Sequence, residues 1–534
     1  KEEDFRSKNI NPSNIIKRSQ EEKGINNIRD ITEESVIFII RPDKDIFNVI
    51  VEIHLMLKAI KGGSCSETLI FIPKENYDII EYMSTNSMLA EFTIENFNID
   101  LIPIDIDLFS LEKENNIKEI YIEKNYSCIS DLANAVVKLE TCFGKIKHKY
   151  IKGDLAQTFC DLVSEKEKEN DLQATDDEIL GMVVLDRSVD FITLMTTNYT
   201  AEGLIDEVIG INLGRIKVKK AMLFENLKNA KNLKNDSQNA TVPYGLTTDI
   251  NKFYCSFRCM HYKDATQYMR SVKGYYEVLS SKNKGRLSTS ELKKCTEELT
   301  YYMNKLKDSL VQNSNILNFV LGELLEDKDR SKCREEEVIL LSGDMPTDLH
   351  SYYDEYLCDQ KDLNKLIRLM IIESLTQNGV ENYQQLKREI INIYGFQKIF
   401  LFRDLENLGW LKEKQFLKKL KAVIEFASYS QLFEKLQLVS ENPQPNKFDD
   451  CSYILEGCSP ISLKIIEKAV KGEWSTIIDV LRKMPGATSL PEDENVIIKP
   501  KKDKNIMFIV FIGGVTYAEI QGIRFLNLKF NEEY

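Results

Sequence analysis

A chain of 534 residues, 43% hydrophobic and 29% charged, is too long for one ordinary core, so two to four domains of about 150 residues each are expected. Its 84 acidic residues outnumber 71 basic ones, for a net charge of −13, which argues against a nucleic-acid scaffold because phosphate binding depends on Lys and Arg releasing counterions. Eleven cysteines with no CxxC pair suit free thiols in a reducing compartment such as the cytosol, and the longest apolar run, Ile506 to Ile512, is far short of the roughly 20 residues that a bilayer demands.

No signal peptide precedes the first strand, although the chain opens on Lys1 rather than Met, as it would if an upstream piece were missing. Residues 36–42 (VIFIIRP) and 68–73 (TLIFIP) are β-branched runs ending in Pro, separated by an apolar-periodic stretch from Ile46 to Ile60 that predicts a helix. This is a βαβ unit. "NFNIDLIPIDIDLFSLE" (96–112) predicts a third strand and "EIYIE" (119–123) a fourth, so the first ~125 residues read as a small parallel α/β domain.

An amphipathic helix is expected near Ser130 to Thr141, followed by a buried strand in "ILGMVVLDRSVDFIT" (179–193). Residues 251–440 then show helical periodicity, with Leu363, Leu366, Ile367, Met370, Ile371 and Leu375 at three-four spacing. The sheet resumes at "NIMFIVFIGG" after a Pro/Asp/Lys-rich linker at 485–504, so a second α/β domain is split around a helical insertion. Between 252 and 312 two helices joined by "SSKNKGRLSTS" (280–290) predict a projecting hairpin. Its faces carry Tyr262, Tyr268, Tyr275, Tyr276, Tyr301 and Tyr302 among Lys and Arg, which suits either helix docking or half-buried packing.

Several stretches invite a chemical reading. "FIGGVTYAEI" (511–520) places Gly513 and Gly514 between a strand and a helix, as a phosphate cradle would, yet neither GxGxxG nor GxxxxGK[ST] is present. Thr516 and Glu519 instead form a capping box, with Val515 and Ile520 as a hydrophobic staple, and the glycines serve the turn. Asp186, Arg187 and Asp190 stand where a strand leaves the sheet, where α/β enzymes often keep carboxylates. With no general base beside them, they read as an ion-pair and turn network in which Arg187 neutralises an aspartate. Cys255, Cys259 and His261 could supply three zinc ligands, but no fourth is in reach. His54, His148, His261 and His350 are the only histidines, and no GxSxG elbow appears. Neither cofactor nor metal is expected.

"DLIPIDIDLFSLE", "VVLDRSVDFITLMTTNYTAEGLIDEVIGI" (183–211), "LIRLMIIESLTQNGVENYQQLKREIINIYGFQKI" (366–399) and "FIGGVTYAEIQGIRFL" (511–526) together resemble the SM (Sec/Munc) family that regulates SNARE-mediated membrane fusion, above all its vacuolar protein sorting branch. The resemblance implies an α/β plus α fold: an arch of domain 1 (1–125), a split domain 2 (126–250 and 451–534) and a helical domain 3 (251–450) with its hairpin at about 252–312. It implies no enzymatic activity, and a template in which the hairpin and the cleft beside domain 1 hold syntaxin-type and R-SNARE helices in register. SNARE binding then falls on Tyr268, Tyr275, Tyr276, Lys282, Lys284 and Arg286. The branch also implies membership of HOPS and CORVET tethers by docking on their class C solenoid subunit, here around Tyr394, Phe396, Phe400, Leu405 and Trp410. Contact with endosomal and vacuolar membranes would run through these partners. The family carries a strand and helix before the position of Val36 and another pair after Phe525; the chain stops at Tyr534 without the last, through trimming or divergence. Other readings are an SM protein that clamps a single syntaxin in secretory or Golgi traffic, and a nucleotide-dependent enzyme using Gly513, Gly514 and Asp186.

Overall fold

The computed structural model describes residues 35–61, 65–72, 74–97, 101–169, 178–223, 240–281, 289–414, 429–439, 450–489 and 506–533. They divide between two compact units, Lys1–Ile102 and Pro103–Tyr534.

In the first unit, β1 (Ser35–Ile40), α1 (Lys44–Lys61) and β2 (Ser66–Phe71) form the expected βαβ unit, with β1 and β2 parallel. After α2 (Tyr77–Thr85), β3 (Thr93–Asn96) adds in parallel to β2 and completes a sheet of order β1-β2-β3. Phe47, Leu69, Phe71, Ile79, Met83 and Phe92 fill its core. Asn76 caps α2 by accepting the Ile79 N–H at 2.8 Å, the short polar side chain satisfying an otherwise unpaired helix donor.

The third strand expected over 96–112 is not one strand. β3 ends at Asn96, and β4 (Ile102–Asp105) and β5 (Leu108–Ser110) pair with each other in a separate two-stranded ribbon. The Ile-Asp alternation that suggested a strand also supplies turn chemistry: the Asp105 carboxylate accepts the Ile106 N–H at 2.8 Å. The strand expected at 119–123 is a π-helical turn, Lys118–Ile122. Ile117, Ile120 and Tyr121 fall at i, i+3 and i+4, a helical face turned toward the core.

The second unit is organised by a sheet of order β10-β6-β7-β11, where β6 is Lys145–Lys152, β7 is Glu178–Asp186, β10 is Thr488–Ser489 and β11 is Met507–Ile512. β6, β7 and β11 run parallel and β10 pairs antiparallel to β6. Gly181 to Asp186 register against Met507 to Ile512, so the interrupted sheet read from the sequence is a single sheet here. Along β7, Met182 and Val184 face α3 (Ser127–Phe143) and α4 (Asp154–Glu169), while Val183 and Leu185 face the helical block. Burial on both faces explains the unbroken apolar run. β6 was not foreseen, because four lysines in KIKHKYIK mask its buried Ile146, Tyr150 and Ile151.

The helical block runs from α5 (Ala201–Val208) through an antiparallel β8 (Arg215–Lys219) and β9 (Thr241–Gly245) ribbon to α6 (Tyr262–Ser281), α7 (Thr289–Tyr301) and α8 (Lys307–Glu326). A π-helical turn, Tyr302–Leu306, joins α7 to α8. Then follow α9 (Lys328–Leu341), α10 (Leu349–Cys358), α11 (Leu363–Thr376), α12 (Tyr383–Tyr394) and α13 (Lys398–Asn407). α14 (Tyr429–Leu436), α15 (Ile461–Val470) and α16 (Trp474–Leu481) lead back to the sheet, and α17 (Tyr517–Glu533) follows β11. No helix among the described residues is long and apolar enough to cross a membrane.

Candidate protein-interaction surfaces

The residues that looked most like an active site form a closed polar weld. Arg187 lies at the end of β7 and donates through Nη1 and Nη2 to the two Glu519 oxygens, each at 2.8 Å, with both side chains buried. An aspartate was expected as its neutralising partner; Asp190 stands farther off, at 4.0 Å. Asp190 instead accepts from the Thr193 N–H at 3.0 Å, the Thr193 hydroxyl at 2.6 Å and the Ser462 N–H at 3.1 Å. It therefore caps the turn after β7 and the start of α15 at once. Burial disfavours ionised Glu519, but Arg187 outweighs it and holds the carboxyl below its usual range.

The capping box is present. Thr516 N–H donates to Glu519 Oε2 at 2.9 Å and Glu519 N–H to Thr516 Oγ1 at 3.3 Å. Of the staple, Ile520 is buried and Val515 is 38% exposed. Gly513 and Gly514 both have φ of +101°, and a Cβ on Gly513 would stand 2.8 Å from Arg187 Cβ, so the turn and the close approach of Arg187 account for the glycine at 513. Asp186 accepts from the Tyr121 hydroxyl, from Ser188 N–H at 3.0 Å and from Leu155 N–H at 3.3 Å. Its lone pairs are committed to structure.

The zinc candidates are likewise occupied by packing. His261 hydrogen-bonds Glu456 at 3.0 Å through Nε2 and accepts the Lys263 N–H through Nδ1, and burial lowers its pKa to about 4. Cys255 donates to Thr248 Oγ1 at 3.3 Å, and burial pushes the Cys259 thiol up to about 12. Among the described residues no group of three or more His, Cys, Asp or Glu side chains is gathered for a metal ion.

A surface suited to another helix lies where α6 meets the turn after α7. A groove of about 530 Å³ there is lined by Phe253, Tyr268, Tyr275, Tyr276, Tyr301 and Lys252, among others. Tyr268 stacks on Phe253 at 6.0 Å and 19°, Tyr276 stacks on Tyr302 at 4.0 Å and 12°, and Tyr275 meets Tyr276 nearly edge-on at 5.1 Å. The Tyr275 hydroxyl donates to Glu298 at 2.8 Å, which fixes its ring across the two helices. Tyr275 and Tyr301 remain more than half exposed. Tyr268, Tyr275 and Tyr276 are thus brought together as one wall; Lys282, Lys284 and Arg286 lie outside the described residues. Phe253 and Lys252 belong to this groove and were missed, since nothing in their local sequence ties them to tyrosines on a later helix.

The second expected surface separates into two populations. Phe396 and Phe400 are 71% and 58% exposed, beside exposed Ile393 and Ile399. Tyr394 is half-buried, its hydroxyl donating to the Lys361 carbonyl at 2.6 Å. Leu405 and Trp410, by contrast, are core residues, and the Trp410 ring packs on Phe191 at 5.2 Å. They are corrected from surface to support, because α13 turns Phe402 and Leu405 inward and Ile399, Phe400 and Arg403 outward.

The Sec1 family model matches residues 1–533. The chain belongs to the Sec1 family. Among curated proteins, the vacuolar protein-sorting-associated protein 33 homolog of Arabidopsis thaliana is 23% identical over 512 residues, covering 92% of this chain and 82% of its own length. Vacuolar protein sorting-associated protein 33A of Rattus norvegicus is 23% identical over 510 residues, with the same coverage. The crystal structure of the Unc18–syntaxin 1 complex from Monosiga brevicollis matches at a TM-score of 0.55 and 13% identity, covering 92% of this chain and 83% of that one. The SM protein Vps45 in complex with the Qa SNARE Tlg2 matches at 0.51 and 14%, covering 92% and 80%. The fold is that of the Sec1/Munc18 proteins, α/β with a large helical part. Sec1 family proteins are non-enzymatic regulators of vesicle transport, and this member is not an enzyme.

Proposed function

We propose that this Sec1 family protein binds SNARE helices along the α6–α7 groove and holds them in register for membrane fusion, as a subunit of a HOPS- or CORVET-type tether on endosomal and vacuolar or lysosomal membranes. The observation that carries the reading is the match to vacuolar protein sorting 33 relatives over 92% of this chain and 82% of their length. The groove supports it physically. Aromatic walls with polar rims give large contact area with little side-chain ordering, and a template that pre-orders one helix lowers the cost of pairing the next. The exposed Phe396 and Phe400 corner is the tether-facing surface, through which a class C solenoid subunit would bring the protein to a membrane.

A purified full chain titrated with labelled SNARE-motif helices and, separately, with the class C solenoid tests this. Tyr275→Ala with Tyr301→Ala is expected to weaken SNARE binding about tenfold and leave solenoid binding unchanged. Failure of the unaltered protein to bind any SNARE helix would sink the proposal. One other reading has an observation behind it, the structural match to a protein solved with syntaxin 1. A single-syntaxin clamp predicts tight binding to a lone closed syntaxin and none to the solenoid.

A further inference from the structure

The groove is electrically uneven along its length. At one end stand Lys252 and the stacked Phe253–Tyr268 pair; at the other, Tyr275, Tyr276 and Tyr301. Seven helical residues separate Tyr268 from Tyr275, about 10 Å at 1.5 Å per residue. Glu298 is seated at the second end by its bond to the Tyr275 hydroxyl; that bond and its charge make the Tyr275 phenol harder to ionise, and burial first, with the Glu298 charge second, does the same for Tyr276. Ring faces and a carboxylate attract a cation there, whereas Lys252 repels one at the opposite end.

Resting on the SNARE-binding reading above, we infer that this groove selects a partner helix presenting an arginine or lysine to its Tyr275–Tyr276–Tyr301 end. The Tyr275 ring is pre-set by Glu298, so little ordering is required on binding, and Tyr276 is braced from behind by Tyr302. A planar guanidinium lies flat on such a ring while its N–H groups reach the phenol oxygens or Glu298, a combination an ammonium matches less well. The groove therefore fixes the register of the bound helix as well as holding it.

The test uses the full chain and two labelled SNARE-motif helical peptides, one with its solvent-facing arginines intact and one with them replaced by citrulline, which keeps the shape and removes the charge. The citrulline peptide is expected to bind about tenfold more weakly, roughly 1.4 kcal/mol, and that difference should vanish in a Tyr275→Leu, Tyr301→Leu chain but persist in Tyr275→Phe. Equal binding of both peptides overturns the cation inference and leaves SNARE binding standing. Binding of neither removes the functional reading itself.

Discussion

Arg187 and Glu519 are 332 residues apart in the chain and share two hydrogen bonds of 2.8 Å in the interior. Around them, Ser462 donates to the same carboxylate at 2.6 Å and Thr516 N–H at 2.9 Å, so three distant segments converge on one ion pair. A buried pair whose every oxygen is satisfied contributes little net stability against an apolar substitute, but removing one member leaves an uncompensated charge. Arg187→Met alone is expected to cost about 3 kcal/mol or more, and Arg187→Met with Glu519→Leu clearly less. Denaturant midpoints for both variants decide it; a double variant worse than the single one would refute the account.

Glu373 gives a pH signature. It is fully buried on α11, bonded by the Tyr353 hydroxyl at 2.9 Å, and burial pushes its pKa up to about 7. A carboxyl whose folded pKa is raised favours the folded state below the unfolded value near 4.5, and that benefit is lost as pH rises through about 7. Glu373→Gln should therefore flatten the fall in stability between about pH 4.5 and about pH 7 by on the order of 3 kcal/mol. Identical pH slopes for the variant and the unaltered protein would rule this out.

Within the stretch from Tyr394 to Trp410, exposure separates binding from stability. Phe396→Asp with Phe400→Asp should abolish capture by the class C solenoid while leaving the melting temperature within a degree or two, since both rings stand in solvent. Trp410→Ala should do the reverse in kind, lowering stability by about 3 kcal/mol or more through a core cavity. Pull-down and thermal melts on the same preparations separate the two, and unchanged stability in Trp410→Ala would contradict its placement.

Two glycines make an internal control. Gly153 has φ of +116°, and an added Cβ would lie 2.1 Å from the Asp186 Cβ; Gly153→Ala is expected to destabilise by about 1–3 kcal/mol. Gly274 sits inside α6 with open space around it, so Gly274→Ala should raise stability by about 0.5–1 kcal/mol. Matching signs for the two substitutions would show that local geometry does not govern them.

Local patterns in the sequence carried the βαβ unit, the long helix at α11, the capping box and the split sheet, because each rests on apolar period or on a side chain bonding its own neighbourhood. Remote pairings were not visible. Nothing near Glu519 announces Arg187 or Ser462, and nothing near Tyr268 announces Phe253. "EIYIE" satisfied both periods over five residues, and only packing chose the helical one. Leu405 and Trp410 fell within the tether surface that the resemblance implied, and the sequence alone, with Phe400 and Phe402 on opposite faces of α13, does not say which face turns inward.

The register of β11 on β7 sets an order of events at the ribosome. At ~10 residues per second, β7 emerges on the order of half a minute before the strand that covers its edge. Throughout that interval an apolar parallel edge, Gly181 to Asp186, is presented to solvent while the helical block is still being made, and such edges recruit foreign strands. A nascent chain stalled before residue 507 would therefore be a chaperone client, even though most of its sequence had already been delivered.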